Sequence, residues 1–268
     1  SPVLRAPLAP LDPLGAPPSR WPPIRSISVV IPVKNNALGI ARTIASVHAA
    51  EARCPGPVEI IVVDDGSTDG PEPWGSLMPS LTARTARSLG AVVIREPGNG
   101  RYVGPLLLHV GTTRNAGIAA ATGDVIASLD ADCTVSPDYL LRICAALADH
   151  DFVALDQRPD DPDLGAWTYK HAADLVFRTG SRGAAEPSVA FRRSICDPGA
   201  SDAPGTCFSP QGYAEILGVS RRARFGVVDS DNPVYTDMAG WRRAVGWALL
   251  GLAGWLGWRG FTRAGVKR

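Results

Sequence analysis

Three runs of this chain are apolar at nearly every position, and each stops abruptly on acid or amide residues. Ile27-Ser-Val-Val-Ile-Pro-Val33 runs into Lys34-Asn35-Asn36, Val58-Glu-Ile-Ile-Val-Val63 into Asp64-Asp65-Gly66-Ser67, and Val125-Ile-Ala-Ser-Leu129 into Asp130-Ala131-Asp132. A strand with one wet face alternates apolar and polar residues. A strand that is apolar on consecutive positions needs cover on both faces, which a parallel sheet between helices supplies. Pro32 removes a ladder donor near the end of the first strand, Ile27–Val33, which is expected to stop where the chain turns. A shorter run at 91–94 reads as a further strand. Apolar residues recur at helical spacing over 37–52 (Ile40, Ala41, Ile44, Val47), over 112–121 up to the Thr122-Gly123 stop, and over 137–147. Residues 25–150 therefore read as α/β, a mostly parallel sheet flanked by helices.

In open sheets of this kind ligands sit off the carboxyl ends of the strands. The polar clusters lie at those ends, which is more than turn formation requires, although Asp and Asn do favour turns. A net charge of +1 gives no bulk attraction for nucleic acid, so none is expected as a partner.

The remainder is less regular. Residues 1–24 carry many prolines and read as an extended tail. Residues 151–240 loosen into short candidate strands at 188–192, 225–228 and 233–235, helical patterns at 167–179 and 212–222, and loops rich in Gly, Pro and Asp. Residues 241–268 hold an apolar stretch of about 15 residues, short of the ~20 that span a bilayer. Its tryptophans Trp247, Trp255 and Trp258 and its flanking arginines suit either an interfacial helix or one docked on the protein itself. The cysteines, Cys54, Cys133, Cys144, Cys196 and Cys207, are odd in number and lack CxxC spacing. They indicate neither a disulfide framework nor a zinc site, and a cytoplasmic setting is expected, with peripheral membrane contact through 241–268 as an option.

Asp130-Ala131-Asp132 offers paired carboxylates at a strand end. Hard oxygen ligands of this kind hold Mg²⁺ or Mn²⁺, and such a cation neutralises the charge that grows on a departing diphosphate. By itself the triplet is a weak signal; its position downstream of Asp64-Asp65 strengthens it.

Taken together, Val29-Val-Ile-Pro-Val-Lys-Asn35, Val62-Val-Asp-Asp-Gly-Ser-Thr-Asp69, Arg114-Asn-Ala-Gly117, Gly123-Asp124 and Leu129-Asp-Ala-Asp132 resemble, in order and spacing, the family 2 inverting glycosyltransferases of the GT-A fold. Weaker similarity continues through Val189-Ala-Phe-Arg-Arg193 to about Tyr235. The resemblance implies a Rossmann-like nucleotide-sugar half and a mixed acceptor-binding half, with a UDP-linked donor and Mn²⁺ or Mg²⁺ as cofactor. It further implies that Pro32, Val33 and Lys34 line the nucleoside pocket and that Asp65, with Asp64 beside it, binds the base or ribose. Arg101 would reach the diphosphate, Arg114 and Asn115 would support the donor site, Asp130 would face the ribose or sugar, and Asp132 would ligate the metal.

The acceptor half departs from the family. The usual Glu-Asp pair falls on Gly212-Tyr213, and Glu215 matches the later acid of the pattern. Glu215 is the candidate base that would deprotonate an acceptor hydroxyl; the competing reading is a helix acid paired with Arg221 or Arg222. Where many members end in Tyr-His, Tyr235 is followed by Thr236 and Asp237, and Asp237 is the candidate replacement ligand. The acceptor itself, lipid-linked or glycan, is not named by the sequence. Two other functions share these residues: a nucleotide-sugar-binding protein with a decayed acceptor site, and a nucleotidyltransferase of related fold. The second would carry a Gly-rich basic loop after the first strand, which Val33-Lys34-Asn35-Asn36 does not supply.

Overall fold

The computed structural model describes residues 23–70, 78–97, 101–103, 106–108, 110–150, 152–155, 157–160, 188–195, 225–228 and 234–237. Its elements run in the order β1 (Ile27–Val33), α1 (Ala37–Glu51), β2 (Val58–Asp65), α2 (Leu81–Ser88), β3 (Val92–Glu96), β4 (Arg101–Val103), β5 (Leu106–Leu108), α3 (Val110–Ala120), β6 (Val125–Leu129), β7 (Cys133–Val135), α4 (Tyr139–Asp149), β8 (Phe152–Leu155), β9 (Gln157–Pro159), β10 (Ser188–Arg192), β11 (Phe225–Val228) and β12 (Val234–Thr236). The main sheet has seven strands in the order β11-β8-β10-β6-β1-β2-β3. Only β10 runs against its neighbours β6 and β8; the other ladders are parallel. A mostly parallel α/β sheet is thus the architecture, as the apolar runs require.

The reason is visible strand by strand. Val29, Ile31, Ile60, Val62, Val125, Ala127 and Leu129 join one buried cluster with residues of α1 and α4. Val30, Ile61, Val63 and Ile126, at the intervening positions, join a second cluster with Ile118 and Ala121 on the α3 side. Both faces of the same strands are therefore dry, and burial of that surface at about 25 cal/mol per Å² drives the layering. Gly117 lets α3 approach the sheet: a Cβ there would lie 2.4 Å from Val30 Cγ1 and 2.9 Å from Val63 Cγ2.

The first strand spans Ile27–Val33 as its apolar run indicates, with Pro32 registered against Val63 of β2. The ladder to β6 stops at Val30, so beyond that point β1 is paired on one side only and tolerates a residue without an N–H. The helix expected over 137–147 runs instead over Tyr139–Asp149, because Tyr139 N–H donates to Ser136 O at 3.0 Å and closes a turn first. α2 is not apparent in the sequence, and β7, β8 and β9 are too short to show a period. The tail over 1–22, the helical patterns at 167–179 and 212–222, and the Trp-rich segment at 241–268 lie outside the described residues. Among those described, no helix is long and apolar enough to cross a membrane.

Candidate functional site

The carboxyl ends of β1, β2 and β6 lie side by side, since β1 pairs with both of the others. The loops that leave them are tied together before any ligand is considered. Asn35, after β1, adopts φ 50, a left-handed conformation that Asn tolerates better than most residues. Its N–H donates to Ser67 Oγ at 2.8 Å, and its Oδ1 accepts from Thr68 N–H at 2.7 Å. Asn36 caps α1, its Oδ1 accepting from Gly39 N–H at 3.0 Å, while its own N–H donates to Thr82 Oγ1 at 2.9 Å. Gly66, with φ 65, makes the sharp turn after β2 that these contacts hold.

The adjacent acids of β2 divide their work. Asp64 is fully buried; it accepts from Ser67 N–H at 2.8 Å and from Ser80 Oγ–H at 2.9 Å. Ser80 in turn caps α2 by accepting from Ala83 N–H at 3.0 Å. Asp64 is thus bound into the scaffold. Asp65 is also buried, at 4% exposure, yet its Oδ2 accepts no hydrogen bond. Lys34 Nζ stands 3.5 Å from that oxygen, close enough for an ion pair but without hydrogen-bond alignment. A buried carboxylate oxygen with spare acceptor capacity is costly unless a ligand donor meets it. Pro32 and Val33 sit at the end of β1 with Val33 buried, beside this pair.

At the end of β6 the geometry is different. Arg114 of α3 is 2% exposed; its Nε donates to Ser128 Oγ at 3.1 Å, and its Nη2 pairs with Asp130. Asn115, next to it, is buried as well. Burial raises the Asp130 carboxyl above the ordinary range against the downward pull of Arg114. Asp132 is pushed up to about 7, first by burial, then by the charge of Asp130 and to a lesser extent Asp237, with the Cys133 thiol pulling the other way. Cys133 Sγ lies 3.5 Å from Asp132 Oδ1 and 3.3 Å from Thr236 Oγ1. Neighbouring, partly buried carboxylates held above their usual range are what a cation would relieve.

The small sheet β7-β12-β9 brings in Asp237. Antiparallel pairing sets Thr236 opposite Cys133, and Asp237 N–H then donates to Asp132 O at 2.9 Å. Asp237 Oδ2 is 2.7 Å from Arg42 Nη2 of α1. Asp237 therefore stands beside Asp132, where the sequence register suggested a ligand. Arg101 lies in β4, paired with β5, away from the main sheet's ladders. Glu215 falls outside the described residues. His48 is remote from the site and structural: its ring bridges Leu89 O at 2.9 Å and Glu51 Oε2 at 3.0 Å, and the Leu89 carbonyl, then Glu51, raises its pKa.

Sequence reading missed Lys34 as the partner of Asp65, Arg42 as the partner of Asp237, and Cys133 as a contact of Asp132. Only the last had a sequence signal, its position directly after Asp132. Among the described residues no group of three or more His, Cys, Asp and Glu is assembled to hold a metal.

The chain is similar to known proteins in sequence and in fold. An uncharacterised glycosyltransferase of Nostoc sp. is 29% identical over 184 residues, covering 64% of this chain and 52% of that protein. An undecaprenyl-phosphate 4-deoxy-4-formamido-L-arabinose transferase of Klebsiella pneumoniae is 28% identical over 182 residues, covering 66% of this chain and 52% of that protein. The chain thus spans about half the length of these curated relatives. Among solved structures, S. aureus TarS 1–349 superposes with a TM-score of 0.51 at 18% identity, covering 82% of this chain and 63% of that one, a likeness of fold alone. The profile of glycosyl transferase family 2 matches residues 28–196, a span that takes in Lys34, Asp65, Arg114, Asp130 and Asp132 and more than half of the chain, which therefore belongs to that family.

Proposed function

We propose that the chain is a metal-dependent, inverting glycosyltransferase that moves a sugar from a UDP-linked donor to an acceptor hydroxyl. The observation that carries this is the alignment, on neighbouring strand ends, of an open buried acceptor at Asp65 with the Arg114–Asp130–Asp132 group. Asp65 Oδ2 can accept an N–H while Lys34, 3.5 Å away, donates to an adjoining carbonyl. That pairing suits the imide edge of uracil; the cytosine ring nitrogen at the equivalent place carries no hydrogen.

The donor set near Asp132 fits a hard divalent cation, since its carboxylates are oxygen ligands and small cations take one or two of these together with phosphate oxygens. Asp132 would hold it, with Asp237 beside it; Mn²⁺ or Mg²⁺ there supplies charge neutralisation for the leaving diphosphate. Arg114 fixes Asp130 so that its carboxylate faces the ribose or sugar in one orientation. Asn115, beside Arg114, belongs to the same donor support, and Arg101 is assigned to the diphosphate. Glu215 is the proposed base for the acceptor hydroxyl. Residues 1–24, 25–150, 151–240 and 241–268 form the tail, donor half, acceptor half and Trp-rich segment of this scheme.

A second reading concerns the acceptor. The Klebsiella relative is named for an undecaprenyl-phosphate substrate, and here Gly212-Tyr213 replaces the usual acidic pair. A phosphate monoester is already ionised near neutral pH and needs no base. Glu215→Gln separates the two: turnover collapses with a hydroxyl acceptor and persists with a lipid phosphate. The donor reading is tested by thermal-shift screening of nucleoside diphosphates with Mn²⁺, in which UDP is expected to raise the melting temperature most. An equal response to CDP and ADP contradicts the uracil assignment.

A further inference from the structure

The acids around Asp132 differ in how they are neutralised. Asp130, its side chain 21% exposed, is paired with Arg114, whose side chain is 3% exposed, and separating that pair would leave the arginine's charge bare inside the protein. Asp237 is paired with Arg42 across a much wetter contact, with side-chain exposures of 47% for Arg42 and 31% for Asp237. Exposed ion pairs of this sort contribute little and break readily. Among the described residues Asp132 has no arginine or lysine within ion-pair distance. Its carbonyl, however, accepts the Asp237 N–H at 2.9 Å, so the backbone of β12 keeps Asp237 beside Asp132 whatever Arg42 does.

We propose that Arg42 is an exchangeable counter-ion: in the cation-free protein it occupies the Asp237 carboxylate, and a divalent cation arriving at Asp132 displaces it and recruits Asp237. This rests on the metal-site reading above. A divalent ion gains more from a carboxylate than a screened guanidinium does, and the outgoing Arg42 returns to water at small cost because it is already half exposed. Cation binding is thereby set weaker than the carboxylates alone would give. Arg42 is a positioning residue that acts through Asp237.

The test uses Mn²⁺ alone, titrated into the nucleotide-free protein and read by electron paramagnetic resonance of the free ion, with no turnover involved. Arg42→Gln is expected to tighten Mn²⁺ binding by about threefold to tenfold, because it removes both the competitor and a nearby positive charge. Arg42→Lys should remain close to wild type. In an Asp237→Asn background the gain from Arg42→Gln should shrink well below its wild-type size. Unchanged or weakened binding in Arg42→Gln overturns the proposal, as does an equal gain in both backgrounds, which would mean a field effect without exchange. Asp132→Ala separates the underlying reading: Mn²⁺ binding that survives in that variant removes the metal site itself, whereas loss there with a silent Arg42→Gln removes only the exchange.

Discussion

Arg114 reaches from α3 to the carboxyl end of β6 and pairs with Asp130 inside the protein, its Nε meanwhile donating to Ser128 Oγ at 3.1 Å. One guanidinium thus fixes the helix, the strand and the first acid of the Asp-Ala-Asp triplet. Replacing it with methionine leaves Asp130, only 21% exposed, without its cation. Arg114→Met is expected to lower the free energy of unfolding by about 3 kcal/mol, measured by urea denaturation. Adding Asp130→Asn should recover part of that loss, since the stranded charge is then gone.

Asp64 and Asp65 are neighbours with opposite duties. Asp64→Ala strips the acceptor from Ser67 N–H and Ser80 Oγ, loosening the turn and the cap of α2. We expect a stability loss of about 2–4 kcal/mol seen as a lower urea midpoint. Asp65→Ala should leave the midpoint nearly in place and weaken UDP binding by about tenfold or more, the value of a charge-assisted hydrogen bond. Calorimetric titration of both variants distinguishes them, and a reversed pattern would exchange their roles.

Glu59 gives a stability signature at acid pH. Burial pushes its carboxyl up, but hydrogen bonds from Ser28, Thr122 and Gly123 outweigh that and hold it below the ordinary 4.5. A folded-state pKa below the unfolded one stabilises above the unfolded value and is lost as pH falls through the folded one. The stability gap between wild type and Glu59→Gln should therefore be full above about pH 4.5 and close as the solution is made more acidic. A gap that is constant with pH would mean that Glu59 acts by shape alone.

Asp132, raised to about 7, shifts the other way. Between its ordinary 3.8 and about 7 the folded protein binds the extra proton, so the cation-free protein loses stability as pH rises across that window. Protons and Mn²⁺ compete for the same oxygens. Mn²⁺ affinity should climb with pH, by up to about tenfold per unit below neutrality, and level off above it. Titrations at a series of pH values check this; a flat profile would place the metal away from Asp132.

The central sheet and its acid-bearing edge are legible in the sequence because β1, β2 and β6 are dry on both faces over most of their length and show it at nearly every position. α2 is not, since its sequence LTARTARS is polar and buries only Thr82, Ala83 and Ala86. Its place is fixed by the Ser80 cap and by Thr82, which accepts from Asn36 N–H at 2.9 Å and donates to Asp69 Oδ2 at 2.5 Å. The short strands β7, β9 and β12 exist through one another, and with them the placement of Asp237 beside Asp132. Arg192, which donates to Leu147 O at 2.9 Å near the end of α4, likewise gives no sequence sign of that partner. Partner choice among charged residues depends on which loops meet, and no local pattern encodes it.

The most direct test of the donor site is calorimetric titration of UDP into wild type and Asp132→Ala, each with and without Mn²⁺. The account predicts that Mn²⁺ tightens UDP binding to wild type and has no effect on Asp132→Ala, whose urea midpoint stays near that of wild type. Equal enhancement by Mn²⁺ in both proteins would contradict it.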